Sequence, residues 1–296
     1  MNILSLFVLI PLLMLGALWA ARSLNQVRGV MVVGSTMLLA LSVYLTIDYL
    51  ALRQAGETAE MLYTASTVWY APLNICYSVG VDGISVAMLL LSSIIVFTGT
   101  FASWQLKPMT KEYFLWFTLL SAGVYGFFIS TDLFTMFMFY EVALIPMYLL
   151  IGVWGSGQKE YAAMKLTLML MGGSAFLLIG ILGIFYGAGA ETMNILEIAQ
   201  RHIPTEMQRL FFPLIFLGFG VLGALFPFHT WSPDGHASAP TAVSMLHAGV
   251  LMKLGGYGCF RVAMYLMPEG AEIWGNFFLV LTTISVVYGA FSAVVQ

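Results

Sequence analysis

Nine apolar runs divide this chain, and each is close to the roughly 20 residues that a helix needs to cross the hydrocarbon core of a bilayer. The runs are continuously apolar, whereas the strands of a membrane β-barrel alternate between apolar and polar residues. The sequence therefore predicts an all-α polytopic membrane protein with about nine transmembrane helices. They are expected at approximately 2–20, 28–50, 83–104, 112–130, 132–153, 161–187, 208–228, 240–266 and 272–295.

The composition supports this class. Hydrophobic residues make up 60% of the 296 residues and charged residues only 8%, against about 25% in an average soluble domain. The formal net charge of −3 is too small to indicate a nucleic-acid partner, so the lipid bilayer is the expected environment. Cys76 and Cys259 lie far apart, and His229 and His236 share a loop without a third ligand. Neither a disulfide framework nor a metal site is predicted.

The basic residues predict an orientation. Arg22 and Arg28 lie in the first loop, Lys107 and Lys111 in the third, and Lys159 in the fifth. These odd-numbered loops are short, and short loops rich in Lys and Arg stay on the cytoplasmic side. We therefore expect the N-terminus on the external side.

Two of the loops are long. Residues 51–75 are expected to form an external connection, and residues 188–207 to form either a short amphipathic helix on the membrane surface or an irregular loop. The chain stops at Gln296, at the end of an apolar run, so we expect it to be part of a longer chain.

Glu141 lies in the middle of the fifth run, with no other charge within eight residues on either side. An ionisable side chain at mid-bilayer costs at least about 2.5–3.5 kcal/mol, so such residues face a bundle interior or water and tend to be functional. Pro146 cannot donate to the carbonyl of Val142, which frees an acceptor one turn away. The pattern favours a station for a proton or a bound water at a helix break; the alternative is a structural carboxylate paired with a neighbouring helix.

Lys253 lies midway along the eighth run, about a dozen residues from either end. At helical spacing it shares a face with Gly249, Gly256 and Tyr257, so close helix packing would hold it against a neighbour. Desolvation would then let the amine load and release a proton near neutral pH. Lys165, near the start of the sixth run, either snorkels to the cytoplasmic headgroups or takes part in function.

The seventh run is predicted to be discontinuous. Gly218 and Gly223 weaken the helix, and Pro227 leaves the Gly223 carbonyl without its usual partner. Broken helices at membrane depth line cavities, and in transporters they mark ion sites. His229 follows the break and His247 lies in the next run, so both are candidate proton carriers.

Three segments of the second half combine proline, glycine and polar residues with apolar ones. They are FPFHTWSPDGH at 226–236, APTAVS at 239–244 and AGVLMKLGGYG at 248–258. Together they resemble the signature of the antiporter-like subunits of respiratory complex I, the proton-pumping NADH:quinone oxidoreductase. EVALIPMY at 141–148 is similar to the fifth helix of subunit M, and VDGIS at 81–85 opens the third helix as in that subunit. The resemblance covers about residues 81–296 and favours subunit M over its paralogues, which include cation/proton antiporter subunits.

The resemblance implies a fourteen-helix fold with two inverted five-helix repeats, of which this chain would hold the first. Residues 1–110 would form helices one to three, residues 111–266 the proton-translocating repeat of helices four to eight, and residues 267–296 helix nine. Helix nine would begin a missing C-terminal part.

The resemblance also implies that the family's functional glutamate falls on Glu141 and its central lysine on Lys253. The family's lysine on helix seven falls on Leu222, where this chain departs from the pattern. His229, Lys165 or His247 would substitute for it, or this half-channel works differently.

Three functions follow as hypotheses. The first is a proton-translocating subunit of a redox-driven quinone oxidoreductase in an energy-transducing membrane, such as the bacterial inner membrane. No nucleotide, flavin or quinone motif occurs in this sequence. The expected partners are the other membrane-arm subunits of the complex, and partner subunits would carry flavin and iron–sulfur clusters and bind quinone. The second is a sodium/proton antiporter subunit or the membrane arm of a hydrogenase. The third is a non-catalytic scaffold.

Overall fold

The computed structural model describes residues 2–189 and 191–295. Within these ranges, eight helices are long and apolar enough to cross a membrane. A turn of 3-10 helix, Ile3–Ser5, leads into the first of them. In chain order the α-helices are α1 Leu6–Ala20, α2 Leu24–Gln54, α3 Gly83–Ala102, α4 Thr110–Ile129, α5 Leu133–Trp154, α6 Lys159–Gly187, α7 Ile195–Ala199, α8 Thr205–Leu222, α9 Trp231–Ser238, α10 Thr241–Leu246, α11 Met252–Gly258 and α12 Pro268–Val295.

Helix α4 forms the centre of the bundle, and residues 120–129 are all buried. It packs against α1, α3 and α5, while α6 packs against α5 and α8. A methyl group at Gly123 would lie 2.9 Å from the backbone nitrogen of Ala143. Helices α4 and α5 can therefore approach this closely only because glycine has no side chain.

The eighth predicted run forms a continuous helix with two π-helical segments. The segment His247–Leu251 joins α10 to α11, and the segment Cys259–Met264 follows α11. Each π turn adds a residue to the helix and rotates the positions that follow it, and such turns are frequent at functional sites. The prediction of a helix over 240–266 agrees with this geometry, although it missed the π turns.

The connection predicted at 51–75 contains structure that the sequence analysis missed. Helix α2 continues to Gln54, and β1 (Leu62–Tyr70) pairs antiparallel with β2 (Ile75–Val81). Strand β2 is buried except at Tyr77, and Asp132 at the start of α5 accepts a hydrogen bond from the Cys76 amide at 3.1 Å. Burial raises the pKa of the Cys76 thiol, so the thiol stays protonated at neutral pH. An all-α description therefore holds for the membrane helices but not for this hairpin.

The segment at 188–207 is not a helix lying free on the membrane surface. Between residue 191 and the start of α8 at Thr205, its regular part is the five-residue α7, and both Ile195 and Ile198 are fully buried. Asn194 caps this helix through the Leu196 amide at 2.9 Å and forms a β-bridge with Asp132. The two isoleucines that suggested membrane contact are packed into the protein.

Candidate functional site

The seventh predicted helix is interrupted in the structure. Helix α8 ends at Leu222, and regular helix resumes only at α9. Ala224 lies between them with a φ of 56°, a conformation that L-residues rarely adopt. Pro227 therefore lies inside the interruption. Helix α8 ends at the residue before Gly223.

Two side chains satisfy backbone groups at this interruption. Ser285 on α12 accepts a hydrogen bond from the Phe226 amide at 2.7 Å, and Trp231 donates from its ring nitrogen to the Val221 carbonyl at 3.0 Å. Unpaired backbone groups in a bilayer are costly, so irregular chain at membrane depth needs such partners. The interruption is thus held in one conformation by groups from α9 and α12.

His229 faces a polar cavity beside the interruption. Its ring packs edge-on against Tyr288, with 4.8 Å between the ring centroids, and its buried Nδ1 has no hydrogen-bond partner among the described residues. The cavity has a volume of about 520 Å³, and Ser232, His236 and Ser285 also line it. The imidazole of His229 is thus a titratable side chain in the lining of this cavity.

His247 is fully buried and lies between two other rings. It stacks on Trp231 at 5.1 Å and on His236 at 4.2 Å, measured between ring centroids. Neither of its ring nitrogens has a partner among the described residues. His236, whose Nδ1 lies 3.1 Å from the hydroxyl of Ser244, therefore connects the cavity to a buried imidazole.

Sequence reasoning mentioned His236 only as a loop residue and did not identify it as part of the site. Its position just before the Pro240 turn, with His247 after it, was the one sequence feature that could have suggested this contact. Within residues 2–189 and 191–295, no cluster of three or more metal-ligating side chains is present.

Lys253 is exposed and is not held against a packed neighbour, so that prediction was wrong. Its amine donates to the Ala248 carbonyl at 2.7 Å, whereas Tyr257 is buried and hydrogen-bonded to Ser85 at 2.9 Å. The π segment at His247–Leu251 rotates α11 relative to α10. Lys253 and Tyr257 both lie in α11, where Lys253 is exposed and Tyr257 is buried.

Lys253 instead lines a groove of about 480 Å³ beside the interruption. Ala224 and Ser285 line both this groove and the cavity that contains His229. Lys253 and His229 thus line two neighbouring spaces that have Ala224 and Ser285 in common. Helix α12 packs against α8 and contributes Ser285 to the lining of this groove.

Glu141 is half-buried on α5, and its buried Oε1 has no hydrogen-bond partner within the described ranges. It takes part in none of the four ion pairs found there. Helix α5 continues through Pro146, so the predicted break at that residue does not occur. The side chain remains an unpaired acid within the bundle, as a proton-binding group requires.

Lys165 forms an ion pair with Asp234. The distance from its Nζ to Oδ2 is 2.7 Å, and the two side chains are 23% and 42% exposed. The pair connects α6 to α9, directly after the interruption. Lys165 therefore does not snorkel alone to the headgroups, and its amine is already engaged.

A second charged cluster, which sequence reasoning missed, lies near the other end of helix eight. Arg261 pairs with Asp82 at the start of α3 and with Glu60 at 3.0 Å, and Tyr265 also donates to Glu60 at 2.7 Å. The sequence places these residues up to 205 positions apart. The one signal in the sequence for the pairing of Arg261 with Asp82 and Glu60 is that these residues have opposite charges and that Arg261 and Asp82 lie near the ends of predicted helices.

We expect these two ion pairs to contribute differently to stability. The pair of Lys165 and Asp234 is partly exposed, so a double-mutant cycle with Lys165→Met and Asp234→Asn should give about 0.2–1 kcal/mol. Arg261 and Asp82 are only 11% and 12% exposed, and removing one partner of a buried pair costs about 3–5 kcal/mol. Thermal unfolding of the purified protein assembly tests this; equal losses for Lys165→Met and Arg261→Met would contradict it.

These features define a multi-pass helical membrane protein built around an interrupted helix that carries titratable side chains. The family model described as "NADH:quinone oxidoreductase/Mrp antiporter, TM" matches residues 130–296, more than half of the chain. The chain belongs to this family.

Two relatives illustrate the similarity. An NAD(P)H-quinone oxidoreductase chain 4 of Picosynechococcus sp. is 37% identical over 238 residues, which cover 80% of this chain and 43% of the relative. The chloroplastic chain 4 of Citrus sinensis is 37% identical over 226 residues, covering 75% and 45%. The chain thus spans less than half the length of these curated relatives.

Solved structures show the same fold. A chain of respiratory complex I from Thermus thermophilus superposes with a TM-score of 0.87 at 24% identity, covering 99% of this chain and 59% of that one. A chain of an archaeal membrane-bound sulfane sulfur reductase gives 0.85 at 22% identity, covering 99% and 60%. A chain of the Mrp complex from Dietzia sp. gives 0.69 at 23% identity, covering 90% and 49%.

Proposed function

We propose that this chain is the proton-translocating membrane subunit of a redox-driven quinone oxidoreductase that uses NADH or a similar donor. The observation that carries the proposal is the arrangement at the interrupted helix, where His229 and Lys253 face two spaces that share Ala224 and Ser285 as a wall. The relatives named NAD(P)H-quinone oxidoreductase chain 4 support the type of complex.

In this proposal the imidazoles hold protons on the cavity side, and Lys253 receives them on the groove side. Glu141 changes the affinity of nearby groups for protons through its own charge, because charges interact strongly where water is scarce. Leu222 supplies no proton-binding group, so His229, His236 and His247 take over the part of the route beside it.

The energy for this transport has to come from partner subunits. Moving one charge through 100 mV requires about 2.3 kcal/mol. Flavin and iron–sulfur clusters, which supply electrons when bound, and the quinone site belong to those partners in this proposal. The other membrane-arm subunits and the lipid bilayer surround the chain in an energy-transducing membrane, such as the bacterial inner membrane.

A sodium/proton antiporter subunit is the second candidate function, since the family includes Mrp antiporters and an Mrp chain has a similar fold. Co-purification separates the two. Redox subunits that purify with this chain favour the pump, whereas sodium–proton exchange without redox turnover favours the antiporter.

Replacing Glu141 with glutamine tests the proposed function. We expect redox-driven proton transport by the assembled complex to fall by about one order of magnitude or more, because the neutral amide removes a charge that changes the pKa of a neighbouring group by about 1–3. The measurement is the rate of proton uptake into vesicles during quinone reduction.

Glu160→Gln is the matched control, because Glu160 is an exposed carboxylate in the first turn of α6. Transport should be unchanged in that variant. Normal pumping by Glu141→Gln would instead support the scaffold hypothesis.

A further inference from the structure

An apolar groove lies between α1 and α2, away from the interrupted helix. Its volume is about 470 Å³. Leu13 and Ala17 line it from α1, Gly29 and Val33 line it from α2, and Gln26 at one end is its polar lining residue. The groove is therefore an apolar channel on the outer surface of the bundle with a single polar end.

The groove has the length of one membrane leaflet. Its lining residues on α2 run from Gln26 to Met37, which is about 16 Å at a rise of 1.5 Å per residue. The hydrocarbon core of a bilayer is about 30 Å thick, so one leaflet is about 15 Å. An acyl chain that starts at the polar end would be accommodated along the whole groove.

Positive charge lies at the polar end. The side chain of Gln26 accepts a hydrogen bond from the Arg22 amide at 2.9 Å, so Arg22, which is exposed, lies next to the mouth of the groove. Lys111 donates to the Trp19 and Ala21 carbonyls at 2.8 and 2.9 Å, which places a second cation at the end of α1. Trp19 is 79% exposed, as is typical of tryptophan at the level of the lipid headgroups.

We propose that this groove binds an anionic glycerophospholipid. One acyl chain lies along Gly29 and Val33, and the phosphate lies at Arg22. The apolar lining favours contact with a hydrocarbon chain, and the cations at the polar end attract a negatively charged headgroup. This site is independent of the proton route.

Gly29→Leu is the variant that fills the groove. A methyl group at Gly29 would meet no atom within 4 Å, so the leucine occupies the groove without displacing a neighbour. Gly172→Leu on α6 is the matched control, since that glycine is also exposed and also has nothing within 4 Å. Arg22→Gln removes the cation and leaves the groove open.

The measurement is native mass spectrometry of the delipidated, assembled complex, titrated with phosphatidylglycerol or phosphatidylcholine. We expect the wild type and Gly172→Leu to retain one phosphatidylglycerol more tightly than phosphatidylcholine. Gly29→Leu should lose both lipids at this site. Arg22→Gln should reduce the preference for phosphatidylglycerol by about fivefold, the effect of one basic residue at an anionic surface.

Two results would overturn the proposal. One is that Gly29→Leu binds phosphatidylglycerol as the wild type does. The other is that Gly29→Leu keeps its lipid but loses a neighbouring subunit, which would make the groove a protein interface. Neither result depends on proton transport, so the lipid site and the proposed function are tested separately.

Discussion

Replacing Lys253 with alanine is expected to abolish redox-driven proton transport by the assembled complex. The lysine side chain lines the groove next to the interrupted helix, and among the described residues its amine is bonded only to the Ala248 carbonyl. Alanine leaves that groove without a group that binds protons. Because Lys253 is exposed, the truncation creates no buried cavity, and the subunit should still fold and assemble. Proton uptake into vesicles during quinone reduction measures the loss.

Two further variants show what the lysine does. Lys253→Arg keeps the positive charge, but a guanidinium does not release its proton in the neutral range. Transport should therefore remain lost if the amine itself carries protons. Lys159→Ala is the control. Lys159 is the first residue of α6, its amine donates to the Val153 carbonyl, and its side chain does not line the groove. Full activity of Lys253→Ala would refute the assigned role.

Replacing Gly255 with alanine should prevent the subunit from assembling. A methyl group at Gly255 would lie 2.5 Å from both the Gly223 nitrogen and the Phe219 oxygen. These are backbone atoms of α8 and of the interruption, so they cannot move aside as a flexible side chain would. Overpacking costs about 1–3 kcal/mol and sometimes more, and here the strain falls on the irregular chain that holds His229.

The neighbouring Gly256 is the matched control. A methyl group there would meet nothing within 4 Å, and alanine favours a helix over glycine by about 1 kcal/mol. Gly256→Ala should therefore assemble normally, while Gly255→Ala should be missing from the purified complex or lower its unfolding temperature. Equal abundance and unfolding temperature in the two variants would contradict the packing described here.

The structure changes how the candidate residues relate to one another. Sequence reasoning placed Lys165 among possible substitutes for the absent helix-seven lysine, yet its amine is engaged by Asp234 at 2.7 Å. His229 and His247 keep unpaired ring nitrogens, and His236 joins them through its stack on His247. The histidines are thus the better candidates for the role that Leu222 cannot fill.

The sequence by itself determined the membrane class, the approximate helix positions and the interruption of helix seven. These features depend on local properties. Apolar length fixes where a helix can span, and glycine and proline weaken a helix within their own turn. The segments at 226–236 and 248–258 also sufficed to indicate the family. Pro146 shows the limit of such local rules, because α5 continues through this proline without a break.

Only the tertiary structure decided which groups meet. The π segment at His247–Leu251 rotates α11 relative to α10, because one added residue in a turn rotates everything that follows. The stack of His236 on His247 and the pair of Arg261 with Asp82 join residues whose proximity depends on how helices pack. Hydropathy along a chain predicts which residues lie within the bilayer, but it does not predict the direction in which each side chain points. That direction, set by helix rotation and close packing, separates the proton-binding candidates from the structural charges.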